Sequence, residues 1–551
     1  MHVSRVAVIP RRAATDLTRF GRWIDWLIAA LVAEAVFAAF LPALRADFVS
    51  WDDNINFLSN PYYRGLGPEQ LKWMFTVMAG HYSPLTWLSH GLDYVLWGMK
   101  PAGYHFVNVL LHAVAAAIAY FVALRLLAAA VAPEPRGALR FAAAVAALLF
   151  ALHPLRVESV AWITERRDVL CGVFFLLAIA FYLRAVEGEA TRARWYWASV
   201  AMAALALLSK AMAVTLPALL LLLDVYPLRR LGPGRLGPGR WTRRDVWLEK
   251  IPFVVLSLVA AVLAVLAQRA VGSLSPVHAL GLGRRLGLSV YGLVFYVWKI
   301  LVPTGLAPLY EAPFDFDTLT PWFVGSAVLV VAAAAALLLT RRRWPGVATA
   351  GAAFVVMLLP VLGLVHFGPH IAADRNTYFA GLAPAMLAGG GVLRLLRGAS
   401  SPVAARATAA AAVAVLVVLA ALTWRQSMVW HDSDTLWRHT LRVSPSSVAH
   451  AKIGVMLDEA GHTEAAIEHF RESVRLHPDS PWAYNNYGIA LGKLGRLDES
   501  IAQFETALRL RPGYYEAQQN LKTARARAAN PLVYLEMQRA KRESQLRGSP
   551  Q

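Results

Sequence analysis

The stretch WLIAALVAEAVFAAFLPAL, residues 26–44, runs directly into RADFVSWDDNINFLSNP, residues 45–61. The first is long enough to cross the hydrocarbon core of a bilayer. The second sets two adjacent carboxylates, Asp52 and Asp53, one short step beyond the exit, flanked by Trp51 and Asn54. A crossing helix with acid at its mouth points to an all-α, polytopic transmembrane bundle, and it raises the question of why the acid stands at the water–lipid boundary.

Composition agrees with the membrane. Of 551 residues, 57% are hydrophobic, more than a soluble globular domain usually carries. The 54 Lys and Arg against 35 Asp and Glu give +19. In a soluble chain that excess suggests nucleic acid. Here the arginines cluster in short loops between apolar runs, which the positive-inside rule explains without a nucleic-acid partner. The single cysteine, Cys171, lies inside an apolar run, so the sequence holds neither a disulfide framework nor a cysteine metal site. The first apolar run starts near Trp23 and lacks a small-residue cleavage site, so it reads as a retained helix rather than a signal peptide.

Counting basic residues at loop ends threads the chain. Arg5, Arg11, Arg12, Arg19 and Arg22 keep the N-terminus inside, and the aromatic, acidic segment 45–104 lies outside. Spans are expected at about 104–131, 140–153 and 169–186, with two short ones in 195–226 around a turn at Ser209–Lys210. Others follow at about 251–268, 320–340, 347–365, 377–396 and 406–424. The segment 284–303, rich in Tyr, Trp and Lys, is read as interfacial, which keeps Arg341–Arg343 inside. Eleven spans result, and the C-terminal region falls on the outer face. The Ala- and Arg-rich composition suggests a bacterial inner membrane with that region in the periplasm; in a eukaryote it would be the ER membrane and lumen.

Near Trp430 the long apolar runs stop. GVMLDEAGHTEAAIEHFRESVRLHP and GIALGKLGRLDESIAQFETALRLRP align at a shift of 34, pairing Gly454 with Gly488, Gly461 with Gly495, Ile467 with Ile501, Phe470 with Phe504 and Pro478 with Pro512. Period and pattern resemble the tetratricopeptide repeat, a stacked helix pair whose concave face suits peptide segments. The domains are therefore a membrane domain 1–429, with the long outer loop 45–104, repeats over 430–530 and a polar tail 531–551.

Polar residues on the outer side form a dense set: Asp52, Asp53, His81, Asp93, His153, Glu158, Arg166, Arg167, Asp168, Lys210, His366, Asp374 and Arg375. Ionisable groups at membrane depth are costly and usually line a wet cavity in pairs. Lys210 interrupts an apolar run of over twenty residues. Each also has a plainer reading. Asp52 and Asp53 suit a turn or a helix N-cap, Glu158 could pair only with Arg156 or His153, and Arg166 and Arg167 could anchor the interface. His105, Asn108 and His112 share one helix face, and that stripe reads as interhelical hydrogen bonding. A carboxylate in such a pocket can take a proton from an attacking hydroxyl, and Arg or Lys can hold a phosphate leaving group.

The segments FVSWDDNINFLSNP, HYSPLTWLSHGLDYVLWGMKPAGYHFVNVLLH, LFALHPLRVESVAWITERRDVL, LLSKAMAVTLPALLLLLD and ADRNTYF resemble the multispanning glycosyltransferases of the GT-C fold, above all the transmembrane-and-tetratricopeptide O-mannosyltransferases and their bacterial relatives. That resemblance implies transfer of a sugar, mannose in animal members, from a polyprenyl-phosphate donor to a protein hydroxyl on the outer or lumenal side. It implies Asp52, Asp53 and Glu158 as catalytic carboxylates, Asp52 first among them as base. It also implies Lys210 and Arg375 as donor-phosphate contacts and sets His153, Arg167 and Asp168 beside Glu158 in one motif; the outer polar set adds Arg166 with Arg167 as donor-phosphate contacts, and His81, His153, Asp168 and His366 in support. The family's Ser-Lys-Glu motif reads SKA here, Ala211 standing where the acid is expected. Carboxylates of this kind suit Mg²⁺ or Mn²⁺, though no compact ligand spacing demands a metal. Two other classes compete. A secondary transporter should show repeated halves and charges near the midplane, and neither is visible. A repeat scaffold would need only one or two anchoring helices.

Overall fold

The computed structural model describes residues 11–78, 80–131, 136–188, 191–231, 243–271, 281–312, 314, 316–363 and 370–530. His366 and the tail 531–551 lie outside them. The chain divides into two units by its internal contacts, one of Met1–Leu309 with Asp317–Asp432, the other of Tyr310–Phe316 with Ser433–Gln551.

In the first unit the helix Pro101–Ala130 is the hub, packed against Arg11–Ala39, Arg136–Ala151 and Arg166–Glu187. Its inner face is built from small residues, with Ala115, Ala116, Ala119 and Ala123 fully buried. Ala142, Ala143, Ala146 and Ala147 answer from the next helix. Small side chains let backbones approach closely, which is how helices gain contact where lipid removes the hydrophobic drive. A Cβ on Gly389 would come 2.7 Å from the Cβ of Ala146, so the crossing helix Leu382–Arg397 needs glycine there.

Among the described residues five helices are long and apolar enough to cross a membrane: Pro101–Ala130, Ile163–Glu187, Arg244–Ala270, Pro321–Thr340 and Pro402–Val429. The count rises to seven if two bent pairs, Arg136–Ala151 with Pro154–Ala161 and Asp374–Ala380 with Leu382–Arg397, are one span each. The sequence led to eleven. Several of the others fall on helices that charge or a break interrupts. Arg11–Ala39 carries Arg22, Asp25 and Glu34, and Asp25 is held by Arg140 at 2.6 Å. The run 195–226 breaks at Lys210, an extended residue between the helix Arg192–Ser209 and a turn over Ala211–Thr215. Segment 284–303 is one helix, Leu282–Leu301.

The segment 45–104 is folded rather than a loose loop. Helices Pro68–Thr76 and Pro84–Trp97 close over an apolar core of Phe57, Tyr63, Met74, Trp87, Tyr104 and Ile163.

The second unit stacks Ser433–Val443, Ser447–Glu459, Thr463–Leu476, Pro481–Lys493, Leu497–Leu510 and Tyr515–Ala529. Its 34-residue period has a steric cause. A Cβ on Gly454 would sit 2.8 Å from the Phe470 ring, and one on Gly488 would sit 2.7 Å from the Phe504 ring. Gly461 and Gly495 turn the chain at the matching position, with φ of +85° and +77°.

Candidate functional site

Three stretches distant in sequence meet around one carboxylate. Between the helices Arg136–Ala151 and Arg166–Glu187 the chain makes a short helix, Val157–Ala161, and a tight turn, and every residue from Ala151 to Arg166 is buried. This turn delivers Glu158, Glu165, Arg167 and Asp168. The break after Ser209 delivers Lys210. Leaving the helix there frees backbone carbonyls, and the membrane has no water to satisfy them. Thr86 Oγ1 donates to the Ser209 carbonyl at 3.0 Å instead. The turn Asp374–Asn376 delivers Arg375, and Arg156 fixes that turn by donating to the Thr377 carbonyl at 2.5 Å and to Thr377 Oγ1 at 3.0 Å.

Glu165 is at the centre. Its carboxylate accepts from Arg167 Nη2 at 2.6 Å and from Lys210 Nζ at 2.7 Å, with Arg375 Nε 3.9 Å away. Lys210 Nζ also donates to Asp168 Oδ1 at 2.9 Å, and Ser159 Oγ supports the other oxygen of that carboxylate at 3.0 Å. Glu158 accepts from the Arg375 backbone N–H at 2.6 Å and from its guanidinium, which also donates to the Pro308 carbonyl at 3.1 Å. The guanidinium lies 5.5 Å from the Trp162 ring centre.

Three carboxylates face three cations, so the cluster is charge-balanced, but the two signs are not equally reachable. The side chains of Arg167, Lys210 and Arg375 keep 15%, 19% and 15% of their surface open, while Glu158, Glu165 and Asp168 keep 1%, 3% and 1%. An incoming group meets the cations first.

The acidic pair reaches this cluster through Thr164, one residue from Glu165. Asp53 is fully buried; its Oδ1 accepts from the Thr164 N–H at 3.1 Å and from Thr164 Oγ1 at 2.7 Å, and its Oδ2 from the Val49 N–H at 3.1 Å. Burial is the largest influence on this carboxyl and lifts it to about 7, against the pull of those donors. Asp52 is only partly buried. Asn56 Nδ2 also bonds Thr164 Oγ1, at 3.1 Å, and Trp51 lies 5.9 Å from Trp162 between ring centres.

Other expected site residues are committed elsewhere. Arg166 faces away from the cluster and is wholly enclosed. It donates to Asn108 Oδ1 at 2.6 Å, Ser89 Oγ at 3.0 Å, the Tyr104 carbonyl at 2.7 Å and the Asp93 carboxylate, tying the helix Pro84–Trp97 to the bundle. His153 caps its own turn, with Nδ1 accepting from the Leu155 N–H at 3.3 Å and Nε2 paired with the Ile300 carbonyl at 2.9 Å. His81 stacks on Trp87, and Asp374 is buried in the turn before Arg375. The His105–His112 stripe is interhelical at two of its positions. Asn108 bonds the Val160 carbonyl at 3.1 Å, and His112 reaches Tyr378 Oη at 2.9 Å and the Ala151 carbonyl at 3.0 Å. Glu165 was not singled out from the sequence; its signal was a place in the run ERRD, read only for its last three members. Among the described residues no three His, Cys, Asp or Glu side chains gather as a metal nest. The cluster carboxylates are each turned to Arg or Lys, a donor set that does not fit Mg²⁺ or Mn²⁺.

A tetratricopeptide-repeat pattern matches residues 459–527. Over 511 residues the chain is 25% identical to "Protein O-mannosyl-transferase TMTC1" of Homo sapiens, covering 83% of this chain and 56% of that protein. The proteins it resembles over this length bear the name protein O-mannosyl-transferase. "Protein O-mannosyl-transferase TMTC3" of Mus musculus is 25% identical over 442 residues, 74% of this chain and 45% of that one. The chain thus spans about half the length of these relatives. Among solved structures, the Archaeoglobus fulgidus oligosaccharyltransferase in its apo form superimposes with a TM-score of 0.41 at 13% identity, over 74% of this chain and 56% of that one.

Proposed function

We propose that the protein is an integral-membrane glycosyltransferase of the GT-C type, moving a sugar, mannose by analogy with its relatives, from a polyprenyl-phosphate donor to a hydroxyl of a protein acceptor. The observation that carries this reading is the layering of the cluster, with open cations over enclosed carboxylates. That layering favours an anion arriving from the open side, and the apolar helices around it favour an anion borne on lipid.

Asp52, the more accessible of the pair, is the base. It takes the acceptor O–H proton as the oxygen attacks the anomeric carbon. The new C–O bond forms on one face while the carbon–phosphate oxygen bond breaks on the other, inverting the centre and releasing polyprenyl phosphate. The phosphate gains one negative charge in that step, and Arg167, Lys210 and Arg375 offset it. Asp53 orients the loop through Thr164 and Val49 rather than reacting, and Glu158 and Asp168 hold Arg375 and Lys210 in place. No step runs through a metal. The repeats hold the acceptor, on the outer face.

Arg167→Gln tests the phosphate role, because Arg167 is bonded to Glu165 alone among the charges of the cluster. With purified protein, labelled donor and an acceptor peptide, weaker donor binding with slower transfer is expected. Undiminished binding would remove Arg167 from the phosphate contacts, and absence of transfer by the parent protein over all plausible sugars would defeat the reading as a whole.

A further inference from the structure

The end of one helix ties together the two chain segments that carry the Glu158–Arg375 pair. In the helix Leu282–Leu301, Tyr296 and Ile300 stand four residues apart and so share a face. The Ile300 carbonyl lies in the last turn, where a helix has no backbone donor of its own to offer. His153 supplies one. Its Nδ1 accepts from the Leu155 N–H, so the ring proton of the neutral imidazole sits on Nε2 and is donated to the Ile300 carbonyl at 2.9 Å. His153 opens the segment that leads to Glu158.

Tyr296 serves the other segment. Its ring is buried, and its Oη accepts from the Ala373 N–H at 3.3 Å and from Asn376 Nδ2 at 2.9 Å. Those two donors flank Arg375. Ala373 is extended and fully buried just ahead of the turn Asp374–Asn376, and the Tyr296 hydroxyl is the acceptor that its N–H finds. The turn closes on itself through the Asn376 N–H to the Ala373 carbonyl at 3.1 Å and Thr377 Oγ1 to the Asp374 carbonyl at 2.8 Å. Such internal bonds give the turn its shape but not its place. Its place is set by Tyr296 before and within it and by Arg156 on Thr377 behind it, and between these anchors the Arg375 N–H meets Glu158 at 2.6 Å.

We propose that Tyr296 is a positioning residue: its hydroxyl anchors the turn Asp374–Asn376 and thereby holds the Arg375 guanidinium where the donor phosphate meets it. This rests on the phosphate role given to Arg375 above. Removing the hydroxyl alone keeps the ring's packing but leaves the buried Ala373 N–H without its acceptor, which is costly for a backbone donor. The turn then shifts to find another, and Arg375 shifts with it.

The test compares Tyr296→Phe with Ser289→Ala in the full-length protein. Ser289 lies on the same helix, and its buried Oγ donates to the Leu362 carbonyl at 2.6 Å, so its loss removes a hydrogen bond of like kind without touching the turn. Affinity for a polyprenyl-phosphate sugar in detergent is measured in the parent and in an Arg375→Met background, together with melting temperature and hydrogen exchange over residues 373–377. Tyr296→Phe is expected to weaken donor binding about fivefold, the low end of coupling between sites, and to speed exchange in the turn. In the Arg375→Met background it is expected to add nothing. Ser289→Ala is expected to lower the melting temperature and to leave donor binding and turn exchange as they are. Equal losses of affinity from the two variants, a loss that persists without Arg375, or unchanged affinity in Tyr296→Phe overturns the proposal. If Arg375→Met does not fold, the comparison of Tyr296→Phe with Ser289→Ala decides alone. If the parent protein binds no such donor, the phosphate reading fails instead, and turn exchange still decides whether Tyr296 anchors the turn.

Discussion

At the scale of single residues, the acidic pair divides its labour by burial. Asp53 is enclosed, and burial raises its carboxyl from 3.8 to about 7. The folded protein therefore holds that proton more tightly than the unfolded chain. The stability this lends is full below about pH 4 and is lost as pH rises towards 7. Asp53→Asn is neutral throughout, so its melting temperature relative to the parent is expected to climb between about pH 4 and pH 7 and level off above; a flat difference contradicts the assignment. The sequence announced the pair by placing it just past an apolar run, but not which member is enclosed, because that depends on Thr164, 111 residues away. Glu165 was missed for a similar reason. Its importance lies in three cations brought to it by the fold, and only one of them, Arg167, is its neighbour in sequence.

At the scale of elements, helix positions were legible because apolar runs and period-34 repeats survive any tertiary context. What the runs did not show is where a helix stops being continuous. The break at Lys210 and the bend before Leu382 both present a charged turn to the cluster. Arg166 is the clearest case of a residue whose job is architectural. It joins Pro84–Trp97, Pro101–Ala130 and Arg166–Glu187 through Asp93, Asn108 and the Tyr104 carbonyl. Arg166→Met leaves Asp93 buried without its cation and is expected to cost about 3–5 kcal/mol, with part recovered by adding Asp93→Asn. Thermal unfolding of the three variants in detergent reads this, and an unchanged melting temperature for Arg166→Met refutes it. In the repeats, Gly454→Ala forces a methyl against the Phe470 ring, with an expected loss of about 1–3 kcal/mol seen as earlier melting of the repeat unit.

At the scale of the whole molecule, the proposal depends on charge being sorted by depth and side. Cations open to a ligand, carboxylates behind them and apolar helices around them suit a lipid-borne anion better than a metal ion. Chelation with EDTA is accordingly expected to leave transfer unchanged; loss restored by Mg²⁺ or Mn²⁺ contradicts this. Sidedness can be read because the single native cysteine, Cys171, is buried. Cysteines placed at the exposed positions Ile55 and Tyr515 are expected to react with an impermeant thiol reagent from the same side of the membrane. Reaction from opposite sides refutes an outer acidic loop together with outer repeats. The number of spans was not legible, since charge inside Arg11–Ala39 and breaks elsewhere blur what counts as a crossing.

The most direct measurement is transfer of labelled sugar from polyprenyl phosphate to an acceptor peptide by Asp52→Asn, with donor binding followed in the same preparation. Loss of the base is expected to slow transfer about 10²–10⁴-fold while binding stays intact. Transfer at the parent rate, with binding intact, would contradict Asp52 as the group that takes the acceptor's proton.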